Sequence, residues 1–194
     1  MIASTLAADG WPVAGHFNEQ LVCQDLDCGE AFPRLWVLRT RSRQEKAVAA
    51  ALRSLAIPHY LPLITAQRYQ GTRRTSVDLP LFPGYVFLHG DRDATFEIER
   101  TKRVASVLDV PDQLVLHREL ENLRRAVQLD VGFDPYPYLS HGVWARVKSG
   151  PYQGVQGRID RQAAPNKLIL QVELLQSAMA IELDGALLEA EAIA

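Results

Sequence analysis

Cysteine is scarce in this chain, and so is any long apolar stretch. The 194 residues include two cysteines, Cys23 and Cys28, with four residues between them. A structural zinc site would need histidine ligands, and the nearest, His16, still leaves the set one short of a closed tetrahedron. Ordinary reduced thiols are expected, with a redox pair as the alternative. No apolar run reaches the roughly 18 residues that read as a membrane span, and Met1 to Asp9 lacks the positive n-region of a secretory signal. A cytoplasmic protein without a membrane partner is expected. Strong charge of either sign is missing too: the net charge is −2 and the pI near 6.2, whereas domains that grip nucleic acid usually lie above about 9. Catalytic signatures are also lacking: there is no P-loop, no G-x-S-x-G, no H-E-x-x-H and no convergent acid, base and nucleophile. The five histidines are scattered, and His59 and His117 sit beside apolar runs as structural or surface residues. A non-enzymatic protein with no cofactor and no metal is the expectation.

What is present is a globular composition, 47% apolar and 23% charged, long enough for one ordinary domain or two small ones. Charge is unevenly distributed. Arg34 to Arg53 holds six basic residues against one acid, and Gln171 to the end holds five acids and no base. Different partners are expected at the two ends.

Residues 1–33 mix Gly, Asp, Ala and isolated aromatics without a helical or alternating period, which reads as a poorly ordered extension. Leu35 to Arg39 is a short strand. A capping box follows, with Ser42 serving the first amides and Glu45 reaching back, so a helix is expected to about Ala56 and to stop before Pro58. At helical spacing Val48, Ala51, Leu52 and Leu55 share one face, with Arg43, Lys46 and Arg53 opposite. His59 to Tyr69 and Thr75 to His89 read as a hairpin with a basic turn from Gln70 to Arg74. Within it Tyr85 and Phe87 point one way and Val86 and Leu88 the other. Helices are expected over about Thr95 to Thr101 and Leu116 to Leu129, the latter carrying Leu116, Leu120, Leu123 and Val127. The fold class is therefore α+β, an antiparallel sheet with flanking helices. Residues 34–129 form this domain, and 130–141, with Gly132, Pro135 and Pro137, read as an irregular linker. Beyond it, Val143–Val147, Val155–Asp160, Leu168–Leu174 and Ala178–Leu183 are short strands between turn residues, so 142–194 should form a small β-barrel.

Two motifs carry a family resemblance. Gly142 to Gly157, reading GVWARVKSGPYQGVQG, resembles the KOW motif: a strand, a tight turn at Gly150, Pro151 and Tyr152, and a second strand entered through Gly154 and Gly157. Glycines there allow positive φ and close backbone approach. Leu81 to Phe87, reading LFPGYVF, is similar to the Phe-Pro-Gly-Tyr signature of the NusG N-terminal domain, and Leu35 to Thr40 to that family's first strand. In this order, over about residues 34–188, they resemble the NusG family of transcription elongation factors: an N-terminal domain followed by an SH3-like KOW barrel.

The resemblance implies an N-terminal domain seated on the clamp helices of the largest RNA polymerase subunit. The aromatics it points to are Tyr85 and Phe87, with Trp36 and Phe82 as neighbours; their competing reading is core. Specialised RfaH/UpxY-like antitermination relatives also read the non-template DNA strand. Here Arg41, Arg43, Lys46 and Arg53 fall at that place, with Lys102 and Arg103 as additions, against the alternative of a solvated helix face. The hairpin with Gly71, Arg73 and Arg74 resembles those paralogues more than the general factor. For the barrel the family implies Rho or a small-subunit ribosomal protein as partner, and for the whole chain a monomer. In RfaH that domain refolds as a helical hairpin, but the leucines of 168–188 read here as barrel core. The alternative function is a KOW-containing RNA- or ribosome-binding protein. Charge speaks against it: in 142–194 Arg146, Lys148, Arg158, Arg161 and Lys167 face six acids, whereas an RNA-binding barrel should be basic.

Overall fold

The computed structural model describes residues 34–70, 73–128, 132–160, 164–183 and 188–190. The expected N-terminal extension, with His16, Cys23 and Cys28, lies outside the described residues, as does the Gly71–Thr72 tip of the hairpin. The chain divides into two compact units, Met1–Leu114 and Val115–Ala194. All described strand pairs are antiparallel.

In the first unit β1 (Arg34–Thr40) is central to a four-stranded sheet of order β2-β5-β1-β6, with β2 at His59–Tyr60, β5 at Tyr85–Gly90 and β6 at Val104–Leu108. Register sorts its side chains. Trp36 pairs with Leu88 and Leu38 with Val86 on one face, Val37 with Phe87 and Arg39 with Tyr85 on the other. Helices α1 (Glu45–Ser54) and α2 (Arg92–Glu99) cover the first face, burying Val48, Leu52 and Ile98 against Trp36, Leu38, Val86 and Leu88. The helix period puts Val48 and Leu52 one turn apart, so both reach the same sheet. Leu55, expected on that face, is 43% exposed because α1 ends at Ser54 and Ala56 turns to φ 55°. On the second face Phe87 is packed by Phe82 at 6.4 Å and Tyr60 at 6.5 Å between ring centres.

Local chemistry corrects three expectations. No capping box forms: Gln44 is the N-cap but its side chain caps no helix amide, and the Glu45 carboxylate accepts instead from the Gly84 amide at 2.7 Å. Arg43, at φ 60°, separates Ser42 from the helix start. The run Thr75–His89 is not one strand. It breaks into β4 (Arg73–Pro80) and β5 at a turn whose Gly84 sits at φ 88°, and β3 (Leu63–Gln70) pairs with β4 as a separate ribbon. Helix α2 begins at Arg92, earlier than the expected Thr95, since the Asp91 carboxylate caps Ala94 N.

Helix α3 (Gln113–Val127) spans the division between the units. At its first residue the Gln113 amide acts as a strand edge, accepting from Leu35 N at 2.7 Å and donating to Leu35 O at 3.1 Å. In the second unit Leu116, Leu120 and Leu123 are buried, and β7 (Asp134–Tyr136), β8 (Val143–Val147), β9 (Gln156–Asp160), β10 (Ala164–Val172), β11 (Ser177–Glu182) and β12 (Leu188–Ala190) form a six-stranded sheet of order β12-β8-β9-β10-β11-β7. The stretch read as irregular thus contributes β7: Pro135 lacks only an N–H, a loss that an edge strand tolerates.

Candidate functional site

Four segments of the first unit converge at one end of its sheet. Thr40 N donates to Gly84 O at 2.8 Å, and Gly84 N donates to Glu45, so the end of β1, the turn before β5 and the first residue of α1 are tied through one glycine. Arg41 N donates to Arg103 O at 2.9 Å, and the Arg103 guanidinium donates to the Gln44 side chain. The loop after β1 and the loop after α2 are thereby joined. Arg41, Arg43, Lys46, Lys102 and Arg103 all lie on these two loops or the first turn of α1, and all are exposed.

The electrostatics follow from what these cations lack. Among the described residues, no hydrogen bond or ion pair engages the side chains of Arg41, Arg43, Lys46 or Lys102. For Arg41, Arg43 and Lys46 the nearest acid in sequence, Glu45, is buried and committed to Gly84. Arg43 and Lys102 hold φ of 60° and 58°, a left-handed conformation costing a non-glycine residue about 1–2 kcal/mol. Strain of this kind at paired, cation-bearing loops is what a site held for binding would retain. Unpaired guanidinium and ammonium groups can neutralise phosphates.

The structure joins Lys102 and Arg103 to Arg41, Arg43 and Lys46, but not Arg53. That residue is in the last turn of α1, about 12 Å along the helix axis from Glu45. Of the four aromatics expected at a docking surface, Trp36, Phe82 and Phe87 are buried, and Trp36 donates to Gly90 O at 3.1 Å. Tyr85 alone is partly open, directly after the Gly84 turn and opposite the exposed Arg39. Sequence reading missed Arg39, which its alternation with Val37 on β1 could have placed beside Tyr85. It also missed Gln44 and the role of Glu45, which depend on partners 59 and 39 residues away.

In the second unit the turn at 148–155 is built as its glycines require. Gly150 and Gly154 have φ of 87° and 86°, and Gly154 N donates to Val147 O at 2.9 Å. Gly157 has another function: a Cβ there would lie 2.7 Å from Ile169 O, so β9 and β10 come together only over a residue without a side chain. Trp144 and Arg158 pair across β8 and β9, with the guanidinium 5.3 Å from the ring centre.

Residues 34–124 match the family described as Transcription termination factor nusG. This stretch, a little under half of the chain, is similar to that family's domain. It runs from the first residue of β1 into α3, taking in the Leu81–Gly84 turn and both basic loops. Comparison with curated proteins gives no significant match. No described helix is long and apolar enough to cross a membrane.

Proposed function

We propose that this protein is a transcription elongation factor of the specialised, RfaH-like antitermination type, which rides on RNA polymerase through its NusG-family domain. The observation that carries the reading is the placing of Tyr85 and the unpaired cations at one end of that domain's sheet. Tyr85 and its surroundings meet the clamp helices of the largest subunit, with Trp36, Phe82 and Phe87 supporting that surface from inside. Arg41, Arg43, Lys46, Lys102 and Arg103 hold the phosphates of the non-template strand, and Arg53 lies apart from them. Residues 142–194, within the second unit, are a KOW domain whose turn fits the motif at Gly150, Pro151, Tyr152, Gly154 and Gly157. Its mixed charge suits a protein partner, Rho or a small-subunit ribosomal protein.

The test separates function from folding by using the strained loop residues. In Arg43→Gly/Lys102→Gly each glycine relieves a left-handed φ while removing a cation, and the relief roughly offsets glycine's entropy cost of about 0.5–1 kcal/mol. The double variant should melt within a few degrees of wild type and still bind polymerase, yet lose most of its effect on pausing and termination in a reconstituted transcription assay. Full activity in the variant would reduce the basic loops to a solvated surface.

A further inference from the structure

Strand register gives the C-terminal sheet two faces. Ala145, Val147, Ile159, Leu168, Leu170 and Val172 are buried on one. Trp144, Arg158, Ile169 and Ala180 lie on the other, because Trp144 pairs with Arg158, Arg158 with Ile169, and Ile169 with Ala180. This second face is also apolar at its centre: Ile169, Ala178 and Ala180 are 0%, 5% and 1% exposed.

What covers it is the chain's own segment 134–140. Tyr136 and Leu139 pack on Ile169, Ala178 and Ala180. Strand β7 adds to the edge of β11, with Tyr136 opposite Ala178 and Asp134 opposite Ala180. Lys167 reaches Asp134 at 3.6 Å. The Arg158 guanidinium, lying over Trp144, donates to the carbonyls of Leu139 and Ser140 at 3.4 and 3.2 Å.

Each attachment is one that a separate peptide could supply, and each is weak. Strand β7 pairs over three positions, with a proline at the middle one, while β10 and β11 pair over six. The ion pair has a 70% exposed carboxylate and contributes little. The bonds from Arg158 go to main-chain carbonyls, which any residue offers. The apolar cover consists of two side chains on one short segment.

We propose that segment 134–140 is an internal ligand occupying a peptide-docking groove on the C-terminal sheet. The partner that displaces it is an extended chain carrying an acidic residue, an aromatic two positions later and an aliphatic three positions after that, in the spacing of Asp134, Tyr136 and Leu139. It binds as an added strand on β11: the edge main chain supplies affinity, while the Ile169–Ala178–Ala180 surface and Lys167 select the sequence. The tethered segment competes at an effective concentration on the order of millimolar, so it masks the groove against all but partners of matching pattern. The groove belongs to the second unit alone and does not depend on polymerase binding by the first.

The test uses the full chain and a labelled synthetic peptide of residues 132–141 as probe. Tyr136→Ser/Leu139→Ser, which strips the segment of its two anchors, should bind the probe at least tenfold more tightly than wild type, and adding Lys167→Glu should weaken that binding. Equal affinity in wild type and the double variant, or no binding by a variant whose sheet is still folded, would overturn the proposal. Hydrogen exchange on wild type gives a reading that does not depend on any variant folding. The β11 amides that face β7 should exchange faster than those at the centre of β10, and slow when unlabelled peptide is added; protection equal to that of the β10 centre, or no response to peptide, would equally overturn it.

Discussion

Glu45 is the residue on which the first unit's site turns. The residue is 8% exposed, and its carboxylate accepts from the amide of Gly84, itself at φ 88° in the turn that presents Tyr85. A hydrogen bond to a charged group is worth about 1.5–3 kcal/mol. Glu45→Ala should therefore lower stability by about that amount, read from chemical denaturation, and speed amide exchange at Gly84 and Tyr85; a neutral effect on both would mean that the turn holds itself. Gly157 is the counterpart in the second unit. Gly157→Ala places a methyl against Ile169 O and the Leu168 side chain, and overpacking of this kind costs about 1–3 kcal/mol. Faster exchange should appear in β9 and β10 and leave β1 and β5 protected, whereas unchanged exchange in β9 and β10 would show that the strands can part without cost.

Among the elements, those legible in the sequence are those whose signal is local. Strand β1 and helix α3 follow from a short continuous apolar run and from leucines at helical spacing, and the 148–155 turn from glycines that can take positive φ. Elements fixed by distant partners were not legible. Glu45 three residues after Ser42 has the form of a capping box, yet a backbone amide 39 residues on takes the carboxylate. Helix α1 ends before Leu55 because the chain reverses at Ala56, which its apolar periodicity does not record. Strand β7 was hidden by Pro135 within it and Pro137 just after it, since an edge strand needs few of its own amides. The site shows the same division. The cations were visible as a basic run, but the tie from Arg41 to Arg103 that gathers them is a backbone bond with no trace in composition. The aromatics were visible as a set, but only burial distinguishes Tyr85 from Trp36, Phe82 and Phe87. Removing Phe87 would cost about 3–5 kcal/mol as a large-to-small core change, so loss of function in Phe87→Ala would report unfolding before it reported binding.

Across the whole molecule, two units with different chemistry share one chain. The stretch similar to the NusG family carries the basic N-terminal segment, where exposed cations stand beside a partly open aromatic. The second unit carries the acidic C-terminal stretch and a sheet whose second face is covered by the chain's own segment 134–140. The proposed division, nucleic acid at one part and a protein partner at the other, is consistent with this separation of charge, because a uniformly basic surface would bind phosphate indiscriminately. The measurement that tests this account most directly is capture of purified core RNA polymerase by the tagged full chain, run beside Tyr85→Ala. Wild type should retain the polymerase, and the variant, melting as wild type does, should retain at least tenfold less, as expected when an interface anchor worth about 1.4 kcal/mol or more is removed. Folded wild-type protein that captures no polymerase would contradict the account.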